Sequence, residues 1–151
     1  GTVLTQSLAI LQWLDETYPD PPFVPGSPLE RARIRAFALA IGCDVHPVQN
    51  LKVLKRIKAM GHSEEEVNEW AQWVNREGLA ACEKLLAGTS GPFCFGPAPT
   101  LADIMLVPQM ANARRFGVDI SGFARLVEAD AAARAHPAFA AAAPDRQPDA
   151  E

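Results

Sequence analysis

The sequence predicts an all-α domain, preceded by one strand and one helix that belong to a separate α/β unit. Three observations carry this reading. No residue from Ile104 to Ala113 bears a charge, and a helix that is apolar on every side belongs in the middle of a domain. Helix-start signatures recur at Ser27-Pro28-Leu29-Glu30, Ser63-Glu64-Glu65-Glu66 and Thr100-Leu101-Ala102-Asp103; each places a hydroxyl at the cap and a carboxylate three residues on. Only residues 2–6, Thr-Val-Leu-Thr-Gln, read as a strand, and a sheet needs three or more strands to stand alone. The chain therefore divides into residues 1–19, the end of an α/β domain; 20–28, a proline-rich linker; and 29–151, the helical domain.

Each element follows from local chemistry. Ser7 to Tyr18 is helical, with Leu8, Leu11 and Leu14 on one stripe. Five prolines between Pro19 and Pro28 make the next stretch stiff and extended. Ser27 caps a helix with proline at its first position. That helix carries Ile34, Phe37, Ile41, Val45, Val48, Leu51, Leu54 and Ile57 at spacings of three and four, a continuous apolar stripe to about Lys58. Pro47 interrupts it, frees the carbonyl of Cys43 and is expected to kink it. Gly61 ends it. The helix after Ser63 runs to about Ala87, with Val67, Trp70, Val74 and Leu85 inward, and Gly78 within it marks the close approach of a neighbour. Residues 88–99 form a loop. The uncharged helix follows, opened by the Thr100–Asp103 box and closed by Arg114 and Arg115, whose charges suit its negative end. Weaker helices are expected near 123–134 and 137–142, then an irregular tail.

Composition narrows the function. The 151 residues are 48% hydrophobic and 21% charged, with net charge −4, which gives no general affinity for nucleic acid. Cys43, Cys82 and Cys94 are odd in number and lack metal-ligand spacing; they read as free thiols in a reducing, cytoplasmic compartment, with no metal site. No apolar run is long enough to span a bilayer. The chain starts with Gly rather than Met, and the lone strand is read as the last of a domain whose earlier strands are missing.

Three stretches together carry a resemblance: Gln6-Ser7 before a helix, Cys43 to Leu54 with its His-Pro-x-x-Asn-Leu core, and the uncharged helix through Arg115 with the following Phe-Gly-Val-Asp. The tail Arg146 to Asp149 adds to it. The chain resembles a zeta-class glutathione transferase, the group that contains maleylacetoacetate isomerase and maleylpyruvate isomerase. The resemblance implies a glutathione-transferase C-terminal helical domain behind the remnant of a thioredoxin-like one, glutathione as cofactor, a small dicarboxylate substrate, a homodimer, and cis–trans isomerisation in aromatic catabolism. It also implies a catalytic serine upstream, so no catalytic residue is assigned to these residues, and the isolated chain is expected to be inactive and to associate. A non-catalytic interaction module is the reading of another class.

Site residues follow. Gln6 and Ser7 alone read as a plain N-cap; within the resemblance they match the residues that hold the γ-glutamyl carboxylate of glutathione, which free helix N–H groups favour. His46 and Asn50, four apart, share a helix face, and with Leu51 and Lys52 match the border of the glutathione pocket. His46 has a competing role in satisfying the carbonyl freed near Pro47. Arg115 matches the arginine that grips a substrate carboxylate in two bonds. Arg114 is its neighbour, with a solvated helix end as the other reading. Trp70, Trp73 and Met105 read as packing rather than a ligand cage.

Overall fold

The computed structural model describes residues 1–150. Seven α-helices follow in order: α1 Ser7–Thr17, α2 Pro28–Leu39, α3 Leu51–Ala59, α4 Glu64–Leu85, α5 Leu101–Arg115, α6 Ala124–Ala135 and α7 Pro137–Ala141. A π-helical turn, Ala40–Val45, and a 3₁₀ turn, His46–Gln49, join α2 to α3, and a 3₁₀ turn at Pro144–Arg146 follows α7. The described residues contain no strand, and the segment expected to be one, residues 2–6, has no regular structure. A single extended segment has no neighbouring ladder to complete its hydrogen bonds.

α5 is the centre. Leu101, Ala102, Leu106, Met110 and Ala113 are all within 2% of full burial, and they meet Phe37 and Ala38 of α2, Leu79 and Cys82 of α4, and Leu126 and Ala129 of α6 in one core. The start of α5 is built as its sequence requires. Asp103 is fully buried; its Oδ2 accepts the Thr100 N–H at 2.8 Å, and its Oδ1 accepts the Cys94 N–H at 2.9 Å. A carboxylate buried with two backbone donors satisfies groups that would otherwise be orphaned. The other two boxes also form: Ser27 N–H donates to Glu30 at 2.7 Å and Ser63 N–H to Glu66 at 2.8 Å.

The proline-rich segment is more than a spacer. Val24 is 4% exposed in the core. The Phe23 N–H donates to Asp15 of α1 at 2.5 Å, and the Phe23 carbonyl accepts the Leu101 N–H at 2.8 Å. The segment is thus strapped between α1 and the start of α5.

The expected single kinked helix from Ser27 to Lys58 is instead two helices. After Leu39 the chain widens into the π turn, where the His46 N–H reaches back to the Ile41 carbonyl, then tightens and breaks at Asn50 (φ −64°, ψ 150°). The break turns Leu51 out of the apolar stripe, leaving it 55% exposed. The inward face of α4 also differs from the sequence reading. Ala71, Val74, Asn75, Leu79 and Cys82 are buried, whereas Trp70 and Leu85 are 37% and 45% exposed. The reason is polar pairing: Asn75, which reads as a surface residue, accepts from Gln109 Nε2 at 2.7 Å and donates to Asn112 Oδ1 at 3.3 Å.

Candidate functional site

The bend between α2 and α3 is held by two glycines. At Gly42, an added Cβ would lie 3.1 Å from Met105 Cε and 3.2 Å from Leu8 Cδ1. The absent side chain therefore makes room where α1, the π turn and α5 converge. At Gly78, an added Cβ would lie 2.8 Å from Val45 Cγ1 and closer still to Cγ2, so Val45 seats directly on the backbone of α4. This is the close neighbour that a glycine inside a helix signals. The first contact brings the start of α1 to the bend; the second pins the bend to the bundle.

At the start of α1, Gln6 adopts φ 70°, ψ 114°, the one positive φ outside glycine among the described residues. Such a backbone costs about 1–3 kcal/mol and clusters at ligand sites. Its carbonyl accepts the Ile10 N–H at 3.0 Å, but no side chain caps the helix, its first turn has no acidic residue, and Gln6 and Ser7 are both exposed. The plain N-cap reading is therefore not realised. The first N–H groups of α1 are left without a side-chain cap, at an exposed end that carries Gln6 and Ser7.

At the bend, His46 and Asn50 are exposed, with His46 Nε2 3.4 Å from Asn50 Nδ2. An amide nitrogen can only donate, so Asn50 is the donor of any hydrogen bond between the two, and His46 Nδ1 is left for another partner. His46 does not serve the carbonyl freed by Pro47. Asn50 Oδ1 is used as the N-cap of α3, accepting the Lys52 N–H at 3.1 Å, which leaves the second Nδ2 hydrogen as its free donor. Leu51 and Lys52 are exposed beside it. Lys52 stands in the first turn of α3, where no acidic residue is present. A cation there opposes the helix dipole, and an anion bound at this end would offset both.

The two arginines at the end of α5 separate. Arg114 pairs with Asp130, a fully buried carboxylate that also takes Arg134 Nε at 3.2 Å. Arg114 thus closes an ion pair between α5 and α6 while its side chain stays 36% exposed. Arg115 is exposed and makes no ion pair among the described residues. Phe116, the next residue, lines an open groove of about 250 Å³ with Leu54, Lys55 and Lys58 of α3 and Val67 and Asn68 of α4. Met105 packs in the junction with α1, whereas Trp70 and Trp73 form a tilted pair, centroids 5.4 Å apart, on an open face of α4. Sequence reasoning missed Asp130, since a lone aspartate in an alanine-rich helix looks solvated, and missed Gln49, which is 2% exposed with neither amide atom partnered.

The class this bundle falls in is the glutathione transferases, whose C-terminal helical domain it matches in sequence and in fold. The model of the glutathione S-transferase C-terminal domain family matches residues 76–141. A maleylacetoacetate isomerase of Pseudomonas aeruginosa is 47% identical over 150 residues, covering 99% of this chain and 69% of the relative. A maleylpyruvate isomerase of Ralstonia is 44% identical over 151 residues, covering 97% of this chain and 71% of the relative. The crystal structure of maleylacetoacetate isomerase from Anaeromyxobacter dehalogenans, with glutathione bound in its active site, superposes with a TM-score of 0.95 at 43% identity, over 99% of this chain and 68% of that one. The same enzyme has been solved with dicarboxyethyl glutathione and citrate in its active site. The chain belongs to the maleylacetoacetate isomerase family of zeta-class glutathione transferases.

Proposed function

We propose that this chain is the glutathione- and substrate-positioning part of a glutathione-dependent cis–trans isomerase acting on maleylacetoacetate. The observation that carries this reading is the convergence at Gly42, where Leu8 of α1 meets the π turn. That contact sets the uncapped start of α1 against the π turn whose chain runs on to the start of α3. Gln6 and Ser7 take the γ-glutamyl carboxylate at the uncapped N–H groups of α1. His46 offers Nδ1–H, Asn50 its remaining Nδ2 hydrogen and Lys52 its charge to the rest of the tripeptide, with Leu51 in apolar contact. When bound, glutathione supplies a thiol nucleophile for reversible addition to the cis double bond, which permits rotation before elimination. Arg115 holds a terminal carboxylate of the substrate through paired N–H donors. Arg114, fixed on Asp130, keeps the end of α5 rigid beneath it.

Activation of the thiol is assigned to a serine of a thioredoxin-like domain, with the protein a cytoplasmic homodimer, as the resemblance implies. Among the described residues no helix is long and apolar enough to cross a membrane. The test is an assay of the intact enzyme on maleylacetoacetate and maleylpyruvate, with and without glutathione. Turnover of the first that requires glutathione and loses affinity for it on His46→Ala supports the reading. A higher kcat/KM for maleylpyruvate would reassign the substrate, and turnover independent of glutathione would overturn the proposal.

A further inference from the structure

We infer that Trp70 is a positioning residue for glutathione, latching the bend that carries His46 and Asn50; this rests on the site proposed above. The bend departs from regular α-helical hydrogen bonding, passing through a π turn and a 3₁₀ turn. Pro47 has no N–H to donate, the π turn before it has shifted the hydrogen-bond register, and Asn50 leaves helical geometry altogether. A stretch of this kind holds its shape only through neighbours. α4 supplies two. Val45, on the inner side, is 4% exposed and sits on Gly78. On the outer side, the Trp70 indole N–H donates to the Val48 carbonyl at 3.0 Å. Gly78 and Trp70 are eight residues apart, about 12 Å along a helix, so α4 meets the bend at two separate points, Val45 and Val48.

The outer grip is the one closest in sequence to the proposed ligand groups. Val48 lies two residues after His46 and two before Asn50. Its carbonyl is within the 3₁₀ turn His46–Gln49, so holding that oxygen holds the Val48–Gln49 peptide plane, midway between the two ligand groups. Trp70 is 37% exposed and leans on Trp73. Its ring thus contributes little to the core, and a tryptophan left half in water on a helix is accounted for by its one polar atom. Trp73, 49% exposed, shares the aromatic pair without any hydrogen bond to the bend among the described residues, and serves as the control.

The experiment compares Trp70→Phe, Trp73→Phe and His46→Ala in the intact enzyme, with glutathione affinity by calorimetry, KM for each substrate, kcat and melting temperature. Trp70→Phe keeps the apolar ring and removes the donor. Loss of one such bond predicts glutathione affinity lower by about 3- to 10-fold, with KM for the dicarboxylate and kcat at saturating glutathione within about twofold of wild type. Trp73→Phe is expected to leave all of these unchanged. Unchanged glutathione affinity in Trp70→Phe, or an equal loss in Trp73→Phe, overturns the latch. If His46→Ala also leaves affinity unchanged, the bend is not the glutathione site and both readings fall. If His46→Ala weakens binding and Trp70→Phe does not, only the latch falls.

Discussion

Replacing Gly78 by alanine tests whether α4 holds the bend through direct backbone contact. In an open helix this change stabilises by about 0.8–1.0 kcal/mol, because alanine loses less conformational freedom than glycine. Here the new methyl would fall 2.8 Å from Val45 Cγ1 and 3.1 Å from its Cβ. A valine branched at Cβ has one favoured rotamer in a helix, and the Cβ distance means that no rotation clears the clash. The π turn itself must shift. Overpacking of a tight core site costs about 1–3 kcal/mol. With the upper half of that range expected for so stiff a neighbour, Gly78→Ala should be net destabilising by about 1–2 kcal/mol. For a chain of this size that is a fall in Tm of about 2–8 °C, read by thermal denaturation. Val45→Ala alone should cost about 1.5–3 kcal/mol through lost burial and the cavity left behind. The double variant should recover most of the clash, so the two changes should depart from additivity by more than the roughly 0.5 kcal/mol seen for independent sites. A rise in Tm for Gly78→Ala, or strict additivity with Val45→Ala, would refute the reasoning.

The two arginines should part company: Arg114→Ala, which strands the buried Asp130 with Arg134 alone, is expected to lower stability by about 1.5–3 kcal/mol with KM for the dicarboxylate unchanged. Arg115→Ala should raise that KM at least tenfold while leaving Tm and glutathione affinity in place. Thiol titration of the native protein should find one fast-reacting cysteine, since Cys43 is exposed, burial pushes the Cys82 thiol up to about 12, and burial with the neighbouring Asp103 carboxylate raises Cys94; a second fast thiol would show that the bundle opens. Hydrogen bonds from Ser27 hold the Glu30 carboxyl below 4.5, and those from Ser63 do the same for Glu66. Depressed carboxylates stabilise fully above their unfolded value and lose that contribution as pH falls through the folded one. Between about pH 5 and 3, Tm of a Glu30→Gln, Glu66→Gln variant should therefore fall less steeply than that of the parent.

Much of the fold was legible because its instructions are local. A cap and its carboxylate are three residues apart, so Ser27–Glu30, Ser63–Glu66 and Thr100–Asp103 announce α2, α4 and α5 without reference to anything else, and all three boxes form. Gly78 announced a contact, though not its partner. The bend was harder. Pro47 shows that a hydrogen bond is missing but not how the chain absorbs the loss. The outcome, a π turn followed by a break, depends on Gly78 and Trp70, more than twenty residues away. The periodicity of α4 misled for a related reason. Trp70 counts as apolar and Asn75 as polar, yet Asn75 is the buried one, because Gln109 and Asn112 satisfy it from α5.

The proposed site residues show why types and spacing alone do not separate binding from structure. Asn50 lies four residues from His46, and the structure does bring the two together, but not as two groups on one continuous helix face. Asn50 is where the helix ends and the next begins, and half of its amide is consumed in capping α3. The same break that removes Leu51 from the core frees Lys52 to face solvent at a helix start. A substitution at Asn50 would thus perturb α3 and the ligand together, whereas Trp70 hydrogen-bonds the backbone between His46 and Asn50. For that reason the separation of positioning from contact must come from α4, the element whose role at the site no motif in the sequence declares.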